Sequence, residues 1–171
     1  MKTFVVLALV IALALGIFAC GKQEPEETTR VTLYLPDHDA IETGGYGFVK
    51  KTMELHMAKL VSLQAMELVS HLVYDGALPE GCDALHFYVS TSELDMNAAF
   101  AEALSRTGTL GETLLMGCLV NTMLEFFALD SITITAEGQV LQTGHEIYDY
   151  PLTFYGNQRS DLENAGEGGE A

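Results

Sequence analysis

Residues 110–134 carry the strongest hydrophobic pattern, and the remaining elements need a surface like theirs to pack on. Leu110, Leu114, Leu115, Cys118, Leu119, Met123, Phe126 and Phe127 recur mostly three and four residues apart. That spacing predicts a helix with one broad buried face. Thr107 or Thr109 can cap its start, and Glu112 falls in the first turn, where a carboxylate suits the helix dipole. Asp130 and Ser131 break the period. Residues 131–137 then alternate, with Ile132, Ile134 and Ala136 on one side and Thr133 and Thr135 on the other, which predicts a half-exposed strand. Glu137-Gly138 suits a hairpin turn, and residues 140–143 return as a second strand. Each large apolar side chain buried is worth ~1.5–3 kcal/mol, so this helix face alone can anchor a sheet. Asn121 and Thr122 interrupt the apolar run at its middle. Buried polar groups are normally satisfied within a fold, so both are expected to bond a neighbouring loop or carbonyl. A polar contact to a partner is the other role open to them.

Upstream, residues 31–35 alternate as a first strand, ended by Pro36 and the run Asp37-His38-Asp39. Gly44-Gly45-Tyr46-Gly47 is a turn cluster, and residues 48–55 form a second strand that pairs with the first. Residues 59–74 are the other main helix, with Leu60, Val61, Ala65, Leu68, Val69 and Leu72 in helical period and Asp75-Gly76 as its stop. Leu78-Pro79-Glu80-Gly81 turns the chain into a strand at 85–90. A short strand at 94–97 and a brief helix at 98–104 precede the central helix, and residues 151–155 close the domain as an apolar lock.

The order is β-β-α-β-β-α-β-β. This is an α+β chain, a two-layer α/β sandwich with one sheet and two helices on one of its faces.

The ends read differently. Residues 1–19 pair Lys2 with an apolar core at 4–18, shorter than the ~20 residues of a spanning helix. Ile17-Phe18-Ala19-Cys20 resembles the lipobox of bacterial lipoproteins. That resemblance implies cleavage before Cys20, diacylglycerol on its thiol, and an anchor on the outer face of the cell membrane, where more than one acyl chain gives stable attachment. Residues 20–30 then form a flexible tether, 31–156 the domain, and 157–171 a disordered acidic tail.

Charge narrows the partners. Eight Lys and Arg stand against 24 Asp and Glu, a formal net charge of −16. Such a surface repels nucleic acid and anionic headgroups. Lys50-Lys51-Thr52 lies near glycines but lacks the G-x-x-x-x-G-K-[ST] spacing of a phosphate loop.

Chemistry is sparse. Cys82 and Cys118 remain after Cys20 and are a candidate disulfide pair, worth ~2–4 kcal/mol if formed outside the cytoplasm. Cys118 also lies on the buried helix face, where free thiols are common. His38, His56, His71, His86 and His145 form no i, i+4 pair and no Cys/His cluster, so no metal and no cofactor is assigned. No G-x-S-x-G elbow occurs, and no carboxylate pair stands in contrasting surroundings. The chain is therefore read as noncatalytic. Two alternatives stay open: an extracellular hydrolase acting on the envelope through carboxylates, and a small-ligand or cation receptor using the loop at 36–47.

Several motifs share an order. Val120-Asn121-Thr122 with Glu125-Phe126, then the strand and turn, then Gly144-His145 with Pro151-Leu152, resemble the V-N-T-L-T-E-F helix and the G-H-x-x-x-x-x-P-L ending of the GerMN domain. Met123-Leu124 stands where that family has Leu-Thr. Leu78–Gly81 and Leu94–Phe100 resemble its L-P-x-G and V-D-L-S-x-x-F. The resemblance covers residues 31–154. It implies a membrane-anchored extracytoplasmic binding or assembly module linked to sporulation or spore germination. The α-β-β-α-β run likewise resembles the ring-building motif of secretion and sporulation channels. The implied partner is another protein or another copy of the chain, met through a helix face and an edge strand.

Overall fold

The computed structural model describes residues 28–156, so the leader, most of the tether with Cys20, and the acidic tail lie outside the described residues. The element order is β1 (Thr29–Pro36), α1 (His38–Glu42), β2 (Phe48–Leu55), α2 (Val61–Tyr74), β3 (Ala84–Tyr88), β4 (Glu93–Met96), α3 (Ala98–Arg106), α4 (Thr109–Phe127), β5 (Thr133–Ala136), β6 (Gln139–Gln142) and β7 (Ile147–Tyr148). β1 begins two residues before the expected domain boundary. The class is α+β, and the helices pack on sheet as a sandwich requires.

The expected single sheet is in fact two. β1 and β2 pair antiparallel as a hairpin of their own, from Thr29 opposite Leu55 to Pro36 opposite Phe48. The other five strands form a second sheet in the order β3-β4-β5-β6-β7, antiparallel except for the parallel pair β4–β5. That parallel pair needs a crossover, which α3 and α4 supply.

The reason for two sheets lies in α4. Every residue from Met116 to Leu124 is buried, so the middle of this helix is enclosed all round rather than along one stripe. At 3.6 residues per turn, Glu112, Met116, Leu119, Met123 and Phe127 share one side. That side crosses the five-stranded sheet from edge to edge: Glu112 accepts a hydrogen bond from the Tyr148 hydroxyl on β7 at 2.8 Å, and Phe127 stacks on Phe87 of β3 with ring centroids 4.5 Å apart. Gly117, Asn121 and Glu125 share the opposite side, where the hairpin meets Gly117 and Glu125 and the C-terminal segment meets Asn121. A helix with two apolar sides needs two covers, and one sheet supplies only one. By length and composition α4 could cross a bilayer, but here it is the core helix.

Smaller differences have local causes. α1 lies where the spacing predicts only a loop; its start is fixed by Asp37, whose carboxylate accepts from the backbone N–H groups of Asp39 and Ala40. α4 begins after Gly108 with no side-chain cap, because Thr107 donates its hydroxyl back to Leu104 instead. Thr135 is buried, not half-exposed, because its hydroxyl donates to the buried Asp95 carboxylate at 2.7 Å. The Gly138 N–H donates to the same carboxylate at 2.8 Å, and Glu137 and Gly138 both adopt positive φ, which fixes the turn of the β5–β6 hairpin.

Candidate interaction surface

Two polar residues in the middle of α4, Asn121 and Thr122, are fully buried. Thr122 Oγ1 accepts the Tyr34 backbone N–H at 3.0 Å, fastening β1. Asn121 fastens the C-terminal segment twice: its Nδ2 donates to the Tyr155 carbonyl at 2.9 Å and its Oδ1 accepts the Tyr155 N–H at 2.8 Å. Glu125 accepts from the Tyr34 hydroxyl and pairs with Lys50 of β2 at 2.8 Å, while the Lys50 ammonium lies 4.9 Å from the Tyr34 ring centre. Thr122 and Glu125 tie the hairpin to the core, and Asn121 ties the C-terminal segment. They are internal fasteners, as expected for Asn121 and Thr122, and not a ligand site.

The other motifs behave alike. Asn97 caps α3 through the Phe100 N–H, donates to the Gly81 carbonyl at 2.7 Å and accepts the Asp83 N–H at 3.2 Å. It thereby joins the run at 94–100 to the turn at 78–81. Leu152 bridges Ile132, and the Phe154 ring meets Tyr34 edge-on at 5.3 Å, so the apolar closure expected at 151–155 is in place.

Cys82 and Cys118, the candidate disulfide pair, are both buried and stand as free thiols in the structure. Cys118 sits wholly inside the α4 packing, and burial pushes its thiol up to about 12; burial raises Cys82 as well. Such thiols are poor nucleophiles. Asp37 is turned onto its own backbone as a helix cap, so Asp37-His38-Asp39 does not converge. No group of three or more metal-ligating side chains converges among the described residues. Sequence reading missed the role of Glu112. It is buried in the first turn of α4, its Oε1 accepts from Thr143 at 2.6 Å and from Tyr148, and its Oε2 is buried with no hydrogen-bond partner. Burial first, and then this carboxylate, hold the Tyr148 phenol above its ordinary range. The sequence offered no signal for it beyond a carboxylate near a helix start.

What remains open is the hairpin's outer side. β2 pairs with β1 and with no other strand among the described residues. Beneath that open edge runs an apolar groove of about 480 Å³, lined by Lys51, Met53 and Leu55 of β2 and by Ser70, His71 and Tyr74 of α2. Lys51 bonds Asp75 at 2.6 Å across one end, and Asp75 Oδ2 is buried without a partner. Tyr74 stands 86% exposed at the rim. An edge strand beside an apolar groove offers main-chain hydrogen bonds and side-chain pockets to an added strand.

No protein-family model matches the chain, and no curated protein matches it by sequence. Solved structures do match. The tandem GerMN domains of the sporulation protein GerM from Bacillus subtilis superpose with a TM-score of 0.55 at 17% identity, over 74% of this chain and 46% of that one. The chain has a GerMN-like fold. The first GerMN domain of the same protein gives a TM-score of 0.48 at 14% identity, over 76% of this chain and 96% of that one. The chain spans about half the length of the tandem structure it matches. Within this GerMN-like fold, the residues that carried the sequence resemblance include the fasteners just described: Asn97, Asn121 and Glu125.

Proposed function

We propose that this protein is a lipid-anchored, extracytoplasmic, noncatalytic GerMN-like module that binds a protein partner through the β2 edge and the β2–α2 groove. The observation that carries the reading is the open edge of an eight-residue strand lying directly over an apolar groove. Long exposed edges are normally paired, covered or blunted, because they template pairing with other chains. The Cys20 anchor follows from the lipobox resemblance, and the link to sporulation or germination from the likeness to GerM.

The test is site-specific photocrosslinking in intact cells. A photoreactive residue in place of Tyr74 should yield a discrete protein adduct in the membrane fraction, and one in place of Gln139, exposed on the other sheet, should not. No adduct at 74, or equal adducts at both sites, would contradict the reading.

A further inference from the structure

We propose that the partner at this surface is a second copy of the chain, its β2 paired antiparallel with this β2 about a two-fold axis at Thr52. This inference rests on the proposed function, because it uses the same edge and groove.

The β2 sequence FVKKTMEL specifies the register. A one-residue slip exchanges the two faces of a strand, so only registers that keep the groove-facing residues of both copies together retain both grooves on one side. Centring on Lys51 would set two ammonium groups against each other. Centring on Met53 pairs no opposite charges. Centring on Thr52 places Lys50 opposite Glu54 twice and Val49 opposite Leu55 twice. Opposite charges and apolar pairs directly across strands are the favourable kinds. The interface is then isologous, with each contact repeated by symmetry.

The groups needed are accessible. Lys50 is 57% exposed and bonds Glu125, while Glu54 is 54% exposed and bonds Arg30 at 3.4 Å. An ammonium has three donors, so Lys50 can hold Glu125 and the facing Glu54 together. The result is an alternating row: Arg30, Glu54, the second copy's Lys50 and its Glu125. In a chain of net charge −16, copies repel over most of their surface. Arg30, Lys50 and Lys51 all lie on the hairpin, and they pair with Glu54, Glu125 and Asp75. This is the face where repulsion is locally cancelled. Pairing also extends each groove across the axis, which covers Met53, Leu55 and the exposed Tyr74 ring.

The experiment is disulfide trapping of the full chain in membranes under a mild oxidant. Directly opposed residues of an antiparallel pair have Cα atoms about 4.5–5.5 Å apart, within disulfide range. Cys82 and Cys118 are buried and stay out of the reaction. T52C should give a linked dimer and Q139C should not. Adding E54K to T52C should reduce the dimer at least tenfold, and adding K50E as well should restore it. No linkage at position 52, equal linkage at 52 and 139, or indifference to E54K overturns the inference. Crosslinking of position 74 to a different polypeptide, without linkage at 52, also overturns it while leaving the edge as the binding surface. Absence of both signals overturns both readings.

Discussion

Asn121 and Tyr155 exchange two hydrogen bonds, the amide of the helix side chain meeting the backbone N–H and C=O of the closing segment at 2.8 and 2.9 Å. One side chain thus pairs with the backbone as a neighbouring strand would. Asn121 is fully buried, so its removal strands the Tyr155 groups in a poorly hydrated place. N121A should cost about 1–3 kcal/mol. N121D should cost at least as much, since it sets a carboxylate against the Tyr155 carbonyl. Denaturant unfolding of both variants checks this, with unchanged stability as the contrary result.

Gly117 sets the distance between α4 and the hairpin. A Cβ built there would lie 2.1 Å from Cζ of Phe48, a ring that is itself buried. Alanine is the better helix former by about 1 kcal/mol, so propensity alone predicts that G117A stabilises. Overpacking costs about 1–3 kcal/mol and should win. We expect a lower midpoint for G117A and partial recovery in F48L/G117A, read by thermal unfolding. A more stable G117A would mean that the hairpin does not press on the helix here.

Glu125 gives the fold a pH dependence of known sign. Burial alone would raise its carboxyl, but hydrogen bonds from Lys50, Tyr34 and Thr32 outweigh it and hold it below the ordinary 4.5. A carboxyl lowered in the folded state contributes stability that is present above its unfolded value and is lost as pH falls through the folded one. The stability gap between the wild-type chain and E125Q should therefore be full at neutral pH and shrink below about pH 4.5. A gap that grows on acidification would reverse the assignment.

Two thiols report on the core. In the native chain at pH 8, Cys82 and Cys118 should resist a thiol reagent, because both are buried and both titrate high. Unfolding without reductant should release both. If unfolding released neither thiol, the pair would be bonded.

Much of this architecture was legible because apolar spacing sets local structure. The strand at 48–55, the strand expected at 94–97 and found at Glu93–Met96, the helix ending at Tyr74 with Gly76 at positive φ, and the Glu137-Gly138 turn follow from period and turn chemistry. Pairing between strands does not, so local spacing shows one sheet where the structure has two. Asn121 and Thr122 read as breaks in one apolar stripe, and Gly117 carries no signal of its own. All three are points where other segments meet the helix: Gly117 the hairpin by close approach, Thr122 the hairpin and Asn121 the closing segment by hydrogen bonds. α1 and β7 have five and two residues, too few to show a period. The interaction surface was legible only as a general expectation of edge strand and helix. The groove depends on how far α2 stands from β2, which no local pattern encodes.

Backbone hydrogen exchange along β2 tests the central claim most directly. In the purified chain at low concentration, alternate amides of residues 48–55 should exchange almost without protection while those facing β1 are slow. In native membranes, or as concentration rises, the fast set should become protected. Fast-set amides that are already protected when dilute, or that stay unprotected in both states, would contradict the account.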